Sequence, residues 1–441
     1  MQLDILQSNK GDCLLLSGSN GGRVLCDGGM RSSMIRHLRP RLSQLQAAGE
    51  NLDAVYVSHI DQDHISGVLQ LLEDLLEWRI YEHHDSQPGP NSVRQPKYPR
   101  PPEIKGIWHN AFHDLIIRNR GAIEDLMAAT IPVFYGSNIN EAIHAAYEME
   151  NITASIPEAL KISRLVRTDL LDIPLNQPPG RPNPGQLLLI EEPNKPFNIG
   201  SLQFQLIGPS KKQLRRLRKG WNNWLRDPQN RMRTIKIKEE MHRRVNEYTN
   251  GNFEGSPFDL RDWNGVPDFK NVTVPNTASL MFLVKDAGRT LLLTGDSQQD
   301  IILEGLEETE QLQDGEYIHV DVLKVPHHGS EHNADEEFCK RVSANHYVFC
   351  GDGSHGNPEP DVLQMYFNSR IGPQSLRALA PEAEDRDFTF WFSTTSDYQP
   401  DGSKDEANFR KAEKKVERLI SESNGRMSAI YNRRHWLTIR L

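Results

Sequence analysis

Residues 52–64 read Leu52-Asp53-Ala54-Val55-Tyr56-Val57-Ser58-His59-Ile60-Asp61-Gln62-Asp63-His64. The first half is a short apolar run of strand length, rich in β-branched and aromatic residues. The second half places two imidazoles and two carboxylates within six residues. Imidazole together with carboxylate suits borderline divalent ions such as zinc, manganese or iron. A tight loop leaving a strand can aim alternate side chains into one pocket, and open α/β architectures keep their chemistry at the C-terminal ends of their strands. A polar loop that binds nothing is the competing reading for one histidine taken alone. Four ligand-type residues at this spacing argue against it.

Working outward, LDILQS, GDCLLLSG and GGRVLCDGG read as short strands with turn glycines between them, and SSMIRHLRPRLSQLQAAG reads as a helix stopped by Gly49. HIDQDHISG reads as a polar loop, with a helix following over VLQLLEDLLEW, and IKGIWHN as a strand. Residues 111–170 read as mostly helical, and the Pro/Gly-rich stretch 171–198 as a surface excursion. SLQFQLIGPS, ASLMFLVKD, GRTLLLTGD, VDVLKVPHH, HYVFCGDG, FTFWFSTT and RHWLTIRL are further strands, and KDEANFRKAEKKVERLISES is a charged helix. Three of these strands end as the first one does. VLCDGG ends on Asp27, LLLTGD on Asp296, and LKVPHHGS on His327 and His328. Gly-Asp alone also makes ordinary turns. The shared placement of acids and imidazoles at strand ends is what ordinary turns do not explain.

Composition removes several classes of function. The 441 residues are 37% hydrophobic, enough for a sizeable core. The net charge of −9 argues against a generally basic nucleic-acid binder. The average hides one segment, however: residues 211–244 hold thirteen Lys/Arg against three acids, with Trp221 and Trp224 among them. Four cysteines, none in a CxxC pair, exclude a disulfide scaffold and a zinc ribbon. No apolar run reaches the roughly 18 residues needed to span a bilayer, and the N-terminus lacks a signal-type pattern, so the expectation is a cytoplasmic protein without a membrane partner. Neither GxSxG nor GxxxxGK[ST] occurs, so no serine-hydrolase or P-loop chemistry is expected.

The order Asp-Gly-Gly, His-x-Asp-x-Asp-His, Thr-Gly-Asp, His-His-Gly-Ser resembles the metallo-β-lactamase-fold hydrolases, most of all the C-terminal hydrolase domain of the ComEC family of DNA-uptake channels. The likeness covers roughly 3–70 and 270–365, with 200–208 as a weaker anchor. It implies an α/β fold, an αββα four-layer sandwich with the metal site along one edge of its sheets. A largely helical insertion over 115–270 would interrupt that single domain, and residues 370–441 would complete the sandwich.

By position, the resemblance implies that His59 and Asp61 belong to a first metal site, Asp63 and His64 to a second, and that Asp296 bridges the two. His328 would be the last ligand of the second site and His327 would face substrate, with the reverse left open. Asp27 would hold the loop from behind. Most of the wider family has His where Asp61 stands and a further His about 20 residues before the bridging Asp, where this chain has Asn276. The first site is therefore oxygen-rich and suited to Mn2+ or Mg2+. His109 and His113 are candidates for a missing imidazole, against a reading as ordinary strand-end residues. In Gly351-Asp352-Gly353-Ser354-His355-Gly356-Asn357-Pro358, either Asn357 or His355 is the candidate contact to the scissile group.

These readings predict a hydrolase using one or two divalent ions, Zn2+ or Mn2+. Asp63 would orient or deprotonate water, and His327 or His355 would stabilise or protonate the leaving group. A phosphodiesterase or nuclease is the first expectation, because Lys211, Lys212, Arg215, Arg216, Arg218 and Lys219 would neutralise phosphates while Trp221 and Trp224 stack on bases. A solvated basic helix is the competing reading of that segment. The alternatives are a small-molecule hydrolase acting on a cyclic nucleotide, lactone or thioester, and a non-catalytic or partner-activated subunit of a multi-protein, defence-type system, with the insertion as its protein-binding surface.

Overall fold

The structure is a computed structural model. It describes residues 1–59, 61–88, 93–110, 162, 165–180, 187–190, 194–215, 279–312 and 315–441. Fourteen strands among the described residues form two sheets. The first has six strands in the order β14-β1-β2-β3-β4-β5. Its members are β1 (Gln2–Leu6), β2 (Leu14–Ser17), β3 (Arg23–Cys26), β4 (Ala54–Val57), β5 (Ile107–His109) and the C-terminal β14 (Trp436–Arg440). The second has eight strands in the order β13-β12-β11-β10-β9-β8-β7-β6. These are β6 (Phe197–Ile199), β7 (Leu202–Gly208), β8 (Met281–Asp286), β9 (Arg289–Leu293), β10 (Ile318–Lys324), β11 (Val342–Phe349), β12 (Phe388–Phe392) and β13 (Met427–Tyr431).

Burial explains the layering. Strands such as Ala54–Val57 are buried at every position, as expected when both faces are covered. Leu3, Leu14, Val24, Tyr56 and Trp108 of the first sheet share one apolar cluster with Phe204, Phe282, Leu291, Val322 and Val348 of the second, so this layer lies between the sheets. The outer face of the first sheet packs on α2 (Arg39–Ala47) and α3 (Gln62–Asp85), which follow a short turn, α1 (Arg31–Ser33), and a π-helical turn, Met34–Leu38. The outer face of the second packs on α4 (Gln299–Glu308), α5 (Glu336–Arg341), α6 (Pro360–Ile371) and α7 (Lys404–Glu422). Helices, two sheets and helices again make the four-layer αββα sandwich.

Three features differ from the sequence reading. The helix after β4 starts at Gln62, so Asp63 and His64 lie in its first turn and not in a loop. Gly67, which reads as a loop residue, is there to let two backbones touch: a Cβ on it would come 2.0 Å from the Gly28 carbonyl oxygen. Strands β6 and β7, inside the span 115–270, are part of the sandwich, with β7 paired antiparallel to β8. Strand β13, Met-Ser-Ala-Ile-Tyr, is a short, mostly half-buried strand that the sequence reading passes over, and it pairs in parallel with β12. The remainder of 115–270, where a largely helical insertion is expected, lies mostly outside the described residues.

The contact between Gly28 and Gly67 fixes the site. Gly28 N–H donates to the His64 carbonyl at 2.9 Å and Gly67 N–H to the Gly29 carbonyl at 2.9 Å, locking the start of α3 onto the turn after β3. Gly67→Ala is therefore expected to destabilise by about 1–3 kcal/mol in urea or thermal unfolding, the usual cost of overpacking. Gly106→Ala, whose added Cβ would meet nothing nearer than 3.7 Å, is expected to be close to neutral. Equal effects of the two would contradict this account.

Candidate metal centre

Four strand ends and one turn converge. Asp27 follows β3, Ser58 to His64 follow β4, Asp296 follows β9, and His327 and His328 follow β10. Asp12, in the turn between β1 and β2, joins them because Gly11 lies directly on the Asp63 backbone, where a Cβ would come 1.6 Å from its carbonyl oxygen. Asp12, Asp27, Asp61, Asp63 and Asp296 are all buried, as are His59, His64, His328 and Lys324.

The two central imidazoles are oriented from behind by carboxylates. His64 Nδ1 lies 2.9 Å from Asp27 Oδ2, and His328 Nδ1 lies 3.1 Å from Asp12 Oδ1. Asp27 is itself fixed, accepting from Ser58 N at 2.7 Å and Ser58 Oγ at 2.6 Å. Both Nε2 atoms consequently point inward, 3.4 Å apart. Asp296 Oδ2 lies 3.3 Å from His64 Nε2 and 3.2 Å from His328 Nε2. Asp63 Oδ2 lies 3.5 Å from His328 Nε2. Donors about 2.0–2.1 Å from a tetrahedral ion sit about 3.3–3.4 Å from one another, so these separations match a closed donor set. Asp12, His64, Asp296 and His328 also bring ligand atoms within 4.8 Å of one another. In that grouping Asp12 lies on the Nδ1 side of His328, opposite the Nε2 atoms. The Nε2 side of His328 faces Asp63 Oδ2, and its Nδ1 side is backed by Asp12.

A second donor group adjoins the first. His59 Nε2 is 3.4 Å from Asp61 Oδ2 and 3.7 Å from Asp296 Oδ2. Asp61 occupies the N-cap position of α3, where a carboxylate normally accepts from the first turn, yet it makes no side-chain cap. Its Oδ1 and His59 Nε2 are buried without a hydrogen-bond partner. A carboxylate diverted from its cap towards an unsatisfied imidazole fits a cation between them.

The electrostatics agree. Burial alone would raise the Asp12, Asp63 and Asp296 carboxyls. The neighbouring positive groups overturn this and hold all three below the ordinary carboxylate range: Lys324 and His328 for Asp12, His64 and His328 for Asp63, His328 and His64 for Asp296. Burial likewise opposes charge on His64 and His328, but Asp296 with Asp27 raises the first and Asp296 with Asp12 raises the second. Lys324 is also pushed up by Asp12 and Asp296 against its burial. Its ammonium contacts Asp12 and donates to Asp296 Oδ1 at 3.2 Å and to the Gly295 carbonyl at 2.9 Å. Asp296 is left with Oδ2 alone facing the imidazoles.

His327 stands beside the cluster. Its Nδ1 is 2.8 Å from Asn333 Oδ1 and its Nε2 is 3.8 Å from Asp296 Oδ2. His355 lies within electrostatic range of Asp63 and His327, and burial, with Lys10 nearby, lowers its pKa to about 4. Asn357 uses its side-chain amide to hold the His327 carbonyl at 3.3 Å. Asp27, His327, His328 and His355 all have left-handed backbone, at φ 56°, 45°, 57° and 57°, the kind of strain that gathers at functional sites. His109 ends β5 as the register partner of Val57. Lys211, Lys212 and Arg215 are exposed at the start of a helical turn, Lys212 pairing with Glu304 of α4. Asn276, His113, Arg216, Arg218, Lys219, Trp221 and Trp224 lie outside the described residues.

Residues 9–132 match the family model described as the Metallo-beta-lactamase superfamily. No curated protein matches the chain. The match, the αββα sandwich and the buried Asp/His cluster together define the class: a metal-dependent hydrolase with the metallo-β-lactamase fold. Among the described residues, no helix is long and apolar enough to cross a membrane.

Carboxylates that orient metal-ligating histidines typically contribute 10- to 100-fold in metal affinity. Asp27→Asn and Asp12→Asn are each expected to weaken divalent-ion binding by about that factor with the far-UV circular dichroism unchanged. Equilibrium dialysis against Zn2+ or Mn2+ checks this, and unaltered affinity in both variants would refute the orienting role.

Proposed function

We propose that the protein is a phosphodiesterase of nuclease type, with the cluster holding one or two divalent ions, Zn2+ or Mn2+. The observation that carries the reading is the pairing of two donor groups around one oxygen. Asp296 Oδ2 lies 3.3 Å from His64 and 3.2 Å from His328, which has Asp63 beside it, and 3.7 Å from His59, which has Asp61 beside it. Paired sites of this kind serve in-line displacement at phosphorus. The oxygen-rich group of His59, Asp61 and Asp296, with one imidazole and two carboxylates, suits a harder ion such as Mn2+.

A bound divalent ion supplies Lewis acidity and brings the pKa of its water towards neutrality. The chain supplies the rest. Asp63, held ionised, accepts a hydrogen bond from the attacking water and orients it. Asp296 is kept from rotating by Lys324 on its far oxygen. His355, lowered chiefly by burial, is neutral at neutral pH and offers an N–H group to charge developing on the scissile phosphoryl or the leaving oxygen, whereas neutral His327 commits its Nδ1–H to Asn333 and turns an unprotonated Nε2 towards the cluster. The positive segment 211–244 supports a phosphate-rich substrate, with Trp221 and Trp224 as stacking surfaces for unpaired bases. The same span is where a protein partner would bind. Because Lys212 is neutralised by Glu304, a small phosphodiester or other small substrate is the second reading.

Mn2+-loaded wild type is expected to cut linear, circular or single-stranded DNA, with Asp63→Ala and His64→Ala at least about 10³-fold slower, the scale of losing a catalytic group. Intact DNA with wild type would overturn the nuclease reading. Hydrolysis of bis-p-nitrophenyl phosphate in that case would retain the wider phosphodiesterase class. A steep fall in DNA affinity with salt is expected if 211–244 meets phosphates, and a flat dependence favours a small substrate.

A further inference from the structure

A cavity of about 240 Å3 lies far from the Asp/His cluster, lined by Arg370, Arg377, Arg426 and residues 378–381 and 383–385. Arg370 ends α6, and Arg426 immediately precedes β13. The Arg370 side chain is 3% exposed, yet among the described residues no carboxylate pairs with it. Its guanidinium reaches only the carbonyls of Ala344, Ala383 and Arg386, and lies over the Phe388 ring at 4.9 Å. Its Nε is buried with no hydrogen-bond partner, and so is Arg426 Nε. Arg377 donates from Nε to the Gly372 carbonyl at 2.8 Å and meets no carboxylate among the described residues. Among the described residues the only ion pair at the site joins Arg426 to Asp385 at 3.4 Å, and the Asp385 side chain is 90% exposed. The other lining acid, Glu384, is also exposed.

Three guanidiniums thus surround one cavity, one of them almost fully buried, against two carboxylates in open solvent. A buried charge without a counter-charge is costly, and it lowers the cost of bringing in an anion. Guanidinium forks match the oxygens of phosphoryl groups and can bind them bidentately. The volume leaves room for one or two phosphoryl groups beside the three guanidiniums. We propose that this cavity binds a compact phosphoryl-bearing anion of the size of pyrophosphate.

This site is separate from the hydrolytic one. Strands β9 to β13 run parallel. Asp296 and His328 follow the C-terminal ends of β9 and β10, whereas Ala344, Phe388 and Arg426 mark the N-terminal ends of β11, β12 and β13. The eight residues of β11 put about 25 Å between the two edges. An anion here cannot touch the reacting atoms, so its role is that of an effector or a structural ligand.

Isothermal titration of sodium pyrophosphate into the full chain, in EDTA at constant ionic strength, tests the proposal. Saturable binding is expected in wild type and in Asp63→Ala/His64→Ala. The double variant Arg377→Gln/Arg426→Gln, which leaves the buried Arg370 in place to protect folding, is expected to bind about tenfold or more weakly. Absence of saturable binding to wild type, an unchanged affinity in the arginine variant, or a signal matched by chloride would each overturn it. Loss of binding in Asp63→Ala/His64→Ala alone would place the anion at the Asp/His cluster and overturn it as well.

Discussion

The Lys324 ammonium stands between Asp12 and Asp296 at the end of β10, almost wholly out of water. Five carboxylates of the cluster are buried, Asp12, Asp27, Asp61, Asp63 and Asp296, and among the described residues Lys324 is the one buried lysine. Like charges gathered in a low-dielectric interior repel strongly unless positive charge is returned to them. Part of that return comes from the imidazoles, whose rings the same carboxylates bias towards carrying charge. A divalent cation at the inward-facing Nε2 atoms would take the place of the imidazole protons, and the uncapped Asp61 leaves a further position for positive charge. The β strands, the Gly28–Gly67 contact and the strained histidine turn all hold this charge arrangement in one geometry.

Two kinds of information were unequally legible in the sequence. The gathering of His59, Asp61, Asp63 and His64 was readable because their ligand types lie within six positions at the end of an apolar run. Asp296, His327 and His328 were readable because they end strands in the same way. Most of the strands, though not their order in the sheets, were recoverable from short apolar runs separated by turns. Asp12 was not: Gly11-Asp12 looks like an ordinary turn, and only the close approach of Gly11 to Asp63 brings its carboxylate behind His328. Lys324 was equally hidden, since a lysine beside a strand end is usually solvated. Its burial is a property of two sheets meeting. The available signal was its place directly ahead of the Val-Pro-His-His turn.

The start of α3 shows the same limit from another side. A polar, glycine-containing stretch reads as loop by propensity, and isolated glycine is unfavourable within a helix. Tertiary contact reverses that preference, because only glycine lets α3 press against the turn after β3. The helical start also gives Asp63 a position near the positive end of the helix dipole, which favours its ionised form. Local preference was overridden where the site needed backbone to touch backbone.

X-ray absorption spectroscopy of the protein loaded with one equivalent of Zn2+ tests the central claim most directly. The account predicts imidazole nitrogens and carboxylate oxygens at about 2.0–2.1 Å, with the imidazole signal reduced in His64→Ala. Scattering from sulfur at about 2.3 Å, which would bring in Cys13, Cys26 or Cys350, or a spectrum without imidazole, would contradict it.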